Sequence, residues 1–498
     1  MAKQKSLKKK AASGMIWTTI QKFSKTGIRF ISGIVLARLL TPFDYGCIGM
    51  LTVFITLSES FIDGGFGSAL IQKKQPTQAD YSTIFYWNLG LSFFLYLVLF
   101  LSAPAISRFY GIPILSNVLR VQGLILFIYA LNLIQRNQLR KQLKFKVIAV
   151  TRIFTSVIAL VVTILMAVMG CGVWALVTQN LIAAGIPAIV FWIYTKWRPV
   201  WTFSWKSFKE LFEFGIFMFL THFLNNLSKQ IQNLLIGRFY DPTTLGYYSK
   251  AQSTERLASH TISGVMTSVT YPLYAEVQDD LPKMRNMIKR LTTTIAYLTF
   301  PLLVILLLVA KPVFIILYSE RWLDSIPYFQ LLCLAGLGQC LSAVNTQPIA
   351  AIGKSKTMFT WTLFKRIIGI STIVIGLLAF GIWGVMFGVI FNAWFSYFVN
   401  IGQVSYYIGY KWTTQIVDLL PTFLATLICG LSTYYFVKIM NLNMYADGLI
   451  KFLVFSILYI GWSLIFKPES YLYTRDVLQP FISKFGFRLS GANDNNRK

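Results

Sequence analysis

Charge is scarce in this chain, and acidic charge scarcest: of 498 residues only 13% are charged, with 18 Asp and Glu against 46 Lys and Arg. Histidine occurs twice, at His222 and His260. No G-x-x-x-x-G-K-[ST] phosphate loop, no H-E-x-x-H helix and no C-x-x-C pair is present, which excludes the common nucleotide, zinc-hydrolase and dithiol sites. No stretch between apolar segments is long enough for a soluble ATPase domain, and neither a large outer loop nor an acid cluster suggests a membrane polymerase, ligase or glycosyltransferase. The five cysteines, Cys47, Cys171, Cys333, Cys340 and Cys429, show no metal-type or disulfide spacing and fall in or beside apolar segments. They read as small hydrophobes. The expectation is a protein that is not an enzyme and holds no metal or cofactor.

What is abundant is apolar surface. Hydrophobic residues make up 55% of the chain, and a mean hydropathy of +0.60 makes a bilayer its natural solvent. A net charge of +28 raises nucleic acid as a partner, but the cations cluster between apolar runs rather than along a surface stripe, so no nucleic acid is expected. Lys3 to Lys10 form a basic start, yet the following segment is interrupted by Gln21, Lys22, Lys25 and Arg29. It reads as a retained first span rather than a cleaved leader.

A span needs about 20 mostly apolar residues. On that rule fourteen helices are expected near 12–39, 44–71, 81–105, 114–135, 147–169, 173–195, 209–238, 245–275, 291–318, 326–352, 357–380, 384–408, 414–437 and 446–466. Cytoplasmic loops hold the excess Lys and Arg. That places on one side the N-terminus, Lys73 and Lys74, the stretch Arg136 to Lys146, Lys196 to Lys209, Lys283 to Arg290, Lys354 and Lys356, Lys411, and the tail from Lys467. The opposite loops are short and carry few cations. Both termini are therefore expected in the cytoplasm of a cell whose inner membrane holds the protein. The expected divisions are a basic N-terminus (1–11), an N-lobe of six spans (12–200), a C-lobe of six (201–410), two further spans (411–466) and a tail (467–498).

The lobes follow from an internal repeat. Arg38, Pro42 and Gly46 recur as Arg238, Pro242 and Gly246, each 200 residues on, and the same offset pairs Arg29 with Lys229 and Phe23 with Phe223. A weaker echo relates Gly172-Val173 to Gly384-Val385. Six spans is an even number, so the two units share one orientation and are related by an axis along the membrane normal.

Ionisable groups inside spans are costly and so are functional candidates. Lys22, Lys25 and Arg29 share one stripe of span one, and span seven carries His222, Asn225, Asn226, Lys229, Gln232 and Asn233 at helical spacing. Facing each other, two such stripes would line a cationic cavity suited to a pyrophosphate, phosphate or acidic sugar. Lys22 and Lys25 have the alternative of snorkelling to headgroups. Span eight adds Gln252, Arg256 and His260, with Lys250 and Glu255 on other faces. Glu255 is expected to pair with another helix or approach the cavity rim, and it joins the acids of span two as a candidate for ion coupling or charge pairing. Glu59 and Asp63 in span two either bind a coupling proton or sodium ion or neutralise Lys25 or Arg29. Arg152, Lys365 and Arg366 read as cavity residues or as cytoplasmic anchors. Pro42 and Pro242 offer hinges, or ordinary turn chemistry.

The run Leu39-Leu40-Thr41-Pro42-Phe43-Asp44-Tyr45-Gly46, followed by Asp63-Gly64-Gly65-Phe66-Gly67-Ser68-Ala69-Leu70-Ile71-Gln72-Lys73, resembles the polysaccharide transporter branch of the multidrug/oligosaccharidyl-lipid/polysaccharide exporter superfamily. Within it the chain is similar to Wzx-type lipopolysaccharide, O-antigen and colanic-acid flippases, over nearly its whole length. The resemblance implies an all-α polytopic protein of two six-helix lobes around a V-shaped, basic central cavity, working by alternating access. It implies an undecaprenyl-pyrophosphate-linked glycan as substrate, with polymerase and chain-length proteins of a polysaccharide assembly system as partners. No motif of that family assigns individual binding residues. The competing readings are a cation-coupled drug or small-solute exporter of the same superfamily and, from another class, a membrane glycan polymerase or ligase.

Overall fold

Long apolar runs separated by short polar turns fold into helices alone: among the described residues there is no strand. The computed structural model describes residues 2–482, without the side chains of 2–16, 260–273, 275, 355, 356 and 476–482. In order the helices are α1 (Ala2–Leu39), α2 (Pro42–Asp63), α3 (Phe66–Gln72), α4 (Gln78–Tyr110), α5 (Ile114–Gln122), α6 (Ile125–Lys141), α7 (Phe145–Val168), α8 (Val173–Thr195) and α9 (Trp205–Phe239). There follow α10 (Pro242–Glu276), α11 (Leu281–Leu308), α12 (Ala310–Tyr318), α13 (Ser325–Ala351), α14 (Ser355–Ile408), α15 (Trp412–Ile439), α16 (Met444–Phe466) and α17 (Glu469–Ile482). Among the described residues ten segments are long and apolar enough to cross a membrane. One of them, 357–408, bends at Gly381 (φ 60°, ψ −141°), where the sequence places the turn between two spans. Helices α1, α9 and α10 fall outside those ten, and all three carry the polar stripes.

Two expected boundaries shift for physical reasons. The span expected over 44–71 breaks at Gly64 and Gly65, both left-handed at φ 50° and 74°, a conformation glycine adopts without a Cβ penalty. Arg136, Arg140 and Lys141, expected in a loop, are helical and close α6. Cations are favoured at a helix C-terminus, and their long stems let the heads reach polar surroundings. The Lys141 ammonium donates to the carbonyls of Leu70 (3.0 Å) and Lys73, near the end of α3. Lys73 in turn contacts Glu210 at 3.0 Å and Asp80 at 3.1 Å. Burial alone would lower its ammonium pKa, but these hydrogen bonds and charges outweigh burial and hold it above the usual lysine range.

By contact the chain divides into two units, Met1–Lys250 with Leu317–Asp324, and Ala251–Ile316 with Ser325–Lys498. In the first unit α1 packs on α7, α7 on α8, and α2 on α9 and α6. The repeated corners meet there. At the first, Thr41 caps α2 and Asp44 returns a bond to the Thr41 amide at 2.9 Å. At the second, Asp241 accepts from the Thr244 amide at 2.6 Å, so the Thr and Asp of the cap have exchanged places 200 residues on. Pro42 and Pro242 each occupy the first helical turn, where a missing amide hydrogen costs nothing. The contact between corners is reciprocal: a Cβ on Gly46 would overlap the Pro242 carbonyl, and one on Gly246 would overlap the Pro42 carbonyl. A twofold relation between like elements has this signature.

A cross-chain strap secures the joint. Arg38 donates to the Leu317 carbonyl at 3.1 Å, and the buried Trp322 donates through Nε1 to the Ala37 carbonyl at 2.8 Å. Trp322 also meets Tyr45 and Tyr247 edge-on, at 5.4 and 6.2 Å between centroids. Lys250, 3% exposed, donates to the Gly33 carbonyl and sits over the rings of Tyr318, Tyr45 and Trp322 at 4.0, 5.2 and 5.4 Å. An aromatic cage of this kind replaces hydration with ring quadrupoles.

In the second unit, α14 folds back on itself: Gly376 and Gly384 bring their backbones into contact on either side of Gly381. Lys365 on one arm donates to Asn400 Oδ1 on the other at 2.6 Å, and Asn400 Nδ2 donates to Ser342 Oγ at 2.8 Å and Thr346 Oγ1 at 2.9 Å on α13. A lysine inside a span is thereby bound to polar partners.

Replacing Gly46 or Gly246 by alanine is expected to destabilise the folded protein by at least about 1–3 kcal/mol, the cost of overpacking a close contact. Gly402→Ala, with open space around it, should be neutral. Thermal unfolding of the three variants in detergent checks this, and equal melting of all three would contradict the reciprocal contact.

Candidate functional site

The glycine-rich end of α2 creates the site. Gly65 has no Cβ, so its backbone lies against that of Gly215 on α9. Phe66 packs on Phe208 and Phe212 at 5.7 and 6.2 Å. The break turns α3 away and leaves Glu59 and Asp63 on the last turns of α2, both half-buried. Asp63 accepts from the Gly65 amide. Gly67 makes room for its carboxylate and the Asn137 amide, since a Cβ there would lie 3.1 Å from each.

Opposite these acids stands Arg136 of α6, whose charge acts on both Glu59 and Asp63. Its guanidinium lies 5.4 Å from the Tyr129 ring, whose hydroxyl it also bonds. Arg140, one turn further along α6, and His222 of α9 also act on Asp63. Arg152 of α7 faces Arg136 and Arg140, and Lys25 of α1 faces Arg29 and Arg152. Three helices, α1, α6 and α7, thus bring five cations, Lys25, Arg29, Arg136, Arg140 and Arg152, into one chain of neighbouring charges, and the two carboxylates of α2 lie at its Arg136 and Arg140 end. The carboxylates offset Arg136 most directly, and positive charge remains in excess. Arg136 and Arg152 are half-buried, whereas Lys25, Arg29 and Arg140 are exposed.

The sequence-derived candidates divide accordingly. Glu59 and Asp63 lie with Arg136, and His222 acts on Asp63, whereas Lys25 and Arg29 neighbour each other and Arg152; Lys25, Arg29 and His222 are exposed. Lys22 is exposed. On α9, Lys229 is exposed and Asn225 half-buried, Asn226 donates to Ser60 at 2.9 Å, Asn233 donates to Gln230 at 2.9 Å, and Gln232 accepts from Tyr248. In the second unit Arg256 is exposed, whereas Glu255 is 4% exposed and lies against α13 at Gly336. His260 lies outside the described side chains. Sequence reasoning treated Arg136 and Arg140 as loop charges and left Arg152 open. The spacing of Tyr129, Arg136 and Arg140, seven and then four residues apart, marks one helix face and would have disclosed them.

The class follows from fold and site together: a multi-pass helical membrane transporter. A solved structure titled as the lipid II flippase MurJ, inward closed conformation, matches with a TM-score of 0.72 over 91% of this chain and 98% of that one, at 15% identity. An inward-facing multidrug resistance MATE family transporter of the MOP superfamily matches with a TM-score of 0.61 over 80% and 98%, at 16% identity. At such identities the likeness concerns the fold. The chain belongs to the polysaccharide biosynthesis protein family, whose model matches residues 35–327. Its relatives include the teichuronic acid biosynthesis protein TuaB of Bacillus subtilis, 26% identical over 72% of this chain and 74% of the relative. Another is the lipopolysaccharide biosynthesis protein WzxC of Escherichia coli, 25% identical over 84% and 86%.

Arg136→Ala should lower folded abundance, by up to about 3 kcal/mol in stability, because it leaves two half-buried carboxylates without the cation that acts on both. Adding Glu59→Gln and Asp63→Asn should restore it. Arg140→Ala and Arg152→Ala should fold normally. Size-exclusion profiles and melting in detergent distinguish these outcomes.

Proposed function

We propose that the chain translocates a lipid-linked oligosaccharide across the inner membrane by alternating access, with no covalent chemistry, and that the anionic linkage of the substrate enters the basin of Lys25, Arg29, Arg140 and Arg152. The excess of cations over carboxylates on α1, α2, α6 and α7 carries the reading. A polyprenyl pyrophosphate matches it in charge, and guanidinium forks suit phosphate oxygens in a bidentate manner. Relatives named for teichuronic acid and lipopolysaccharide biosynthesis and a fold shared with a lipid II flippase support the substrate class. Undecaprenyl pyrophosphate as carrier, both termini in the cytoplasm, and polymerase and chain-length proteins as neighbours complete the proposal. Lys229, Asn225, Asn233, Arg256 and His260 extend the set of substrate contacts.

Alanine at Arg29, Arg140 or Arg152 should abolish delivery of surface glycan at normal membrane abundance, lysine should recover part of it, and glutamate should be worse than alanine. Surface glycan read by lectin or gel, beside abundance by blot, is the measurement. Full delivery by all three alanine variants would remove the basin from the transport path, and altered drug sensitivity instead would favour a solute exporter.

The charge bias of the loops supports a cytoplasmic position for Gln142, between α6 and α7. A lone cysteine introduced there, in a chain otherwise free of cysteine, should resist an impermeant thiol reagent in whole cells and react after permeabilisation. Labelling in intact cells would invert the topology.

A further inference from the structure

The acids Glu59 and Asp63 of α2 and Glu255 of α10 meet two different electrostatic surroundings. Glu59 and Asp63 face Arg136 across helices. Glu255, in the second unit, has no such cation across helices among the described residues: its side chain is 4% exposed, and Oε1 has no hydrogen-bond partner. The carboxyl fits against α13 because residue 336 is glycine; a Cβ there would lie 2.5 Å from Oε1. The described groups around it are Ser259 one turn on, which hydrogen-bonds the carboxyl, the thiol of Cys333 on α13, and Arg256, which adjoins it in sequence but is exposed. Leu303 of α11 borders the same glycine. Neither Ser259 nor Cys333 supplies a positive charge.

A carboxylate in such a place would be a buried, unpaired anion inside a membrane helix, an arrangement the low dielectric strongly disfavours. A protonated carboxyl is neutral and sits there without penalty of that kind. A metal cation is a poor alternative, because alkali and alkaline-earth ions collect several oxygen ligands, and among the described residues no three His, Cys, Asp or Glu side chains gather. A proton needs only one oxygen.

We propose that Glu255 is a proton-carrying residue of the transport cycle: it rests as the neutral acid against Gly336 and releases its proton to water when α10 moves relative to α13. Release leaves the carboxylate and one proton in solution, and return to the buried position takes one proton back. Each cycle that exposes Glu255 to one side and reburies it from the other therefore moves one proton across the membrane. The inference rests on the transport reading above but names a residue outside the cationic basin.

The experiment has two arms. Infrared spectroscopy of the full chain in liposomes at neutral pH, with no substrate present, should show a protonated-carboxyl stretch that is absent from Glu255→Gln. In cells that depend on this chain for surface glycan, Glu255→Gln, which mimics the neutral acid permanently, should insert and melt like the wild type yet fail to deliver glycan, while Glu255→Asp should retain part of the activity. Absence of the carboxyl band overturns the proposal, and so does full glycan delivery by Glu255→Gln. The infrared arm needs no substrate. Normal delivery by the Arg29, Arg140 and Arg152 variants would sink the substrate reading while leaving the Glu255 band unchanged, so the two failures are distinguishable.

Discussion

A charge placed within a bilayer must be hydrated, paired or neutralised, and the arrangement of this protein follows from how each charged group meets that demand. Lys250 loses water to a cage of three aromatic rings and a backbone carbonyl. Lys365 binds Asn400, which is itself held by two hydroxyls. Arg136 is balanced by two acids. Lys25, Arg29, Arg140 and Arg152 are left with more positive charge than their surroundings offset, and it is this unbalanced set, rather than the total of +28, on which the proposed substrate contact rests.

The fold was legible wherever a single helix sufficed to carry the signal. Apolar length located ten segments able to cross a membrane, short of the fourteen expected because α1, α9 and α10 fall outside them and two of the fourteen are the arms of α14, and the 200-residue repeat located two corners that prove to touch. The turn at Gly381 falls where a three-residue loop was expected between spans. What stayed hidden depended on pairs of helices. Arg136 and Arg140 follow an apolar run, and composition cannot tell a loop cation from one on a helix end whose side chain turns toward a neighbour. Glu255 and Lys250 both lay off the polar stripe of α10, and nothing local distinguishes a caged lysine or a buried acid from an ordinary surface pair. The burial of each comes from residues more than sixty positions away, Tyr318 and Trp322 for one and Gly336 for the other.

The glycine-rich segment Asp63 to Gly67 shows how one stretch serves backbone and chemistry together. Two left-handed residues end α2, close approach to Gly215 fixes where it ends, and the missing side chain at Gly67 leaves space for the Asp63 carboxylate and Asn137. The turn is thus a device for presenting an acid beside Arg136. This accounts physically for a run that carried the family resemblance before any residue in it had a role.

The joint of Gly46 with Pro242 and of Gly246 with Pro42 has a further consequence for how the chain can change over time. Each glycine meets a main-chain carbonyl rather than a side chain, so an enlarged residue at either position cannot be accommodated by trimming its neighbour. Compensation by a second substitution, the ordinary route by which packed interiors drift, is closed there. The positions elsewhere in the two corners are open to it, as the exchange of Thr and Asp between their caps illustrates. Duplication therefore left a pair of sites where repair is unavailable, embedded in surroundings that have been free to diverge.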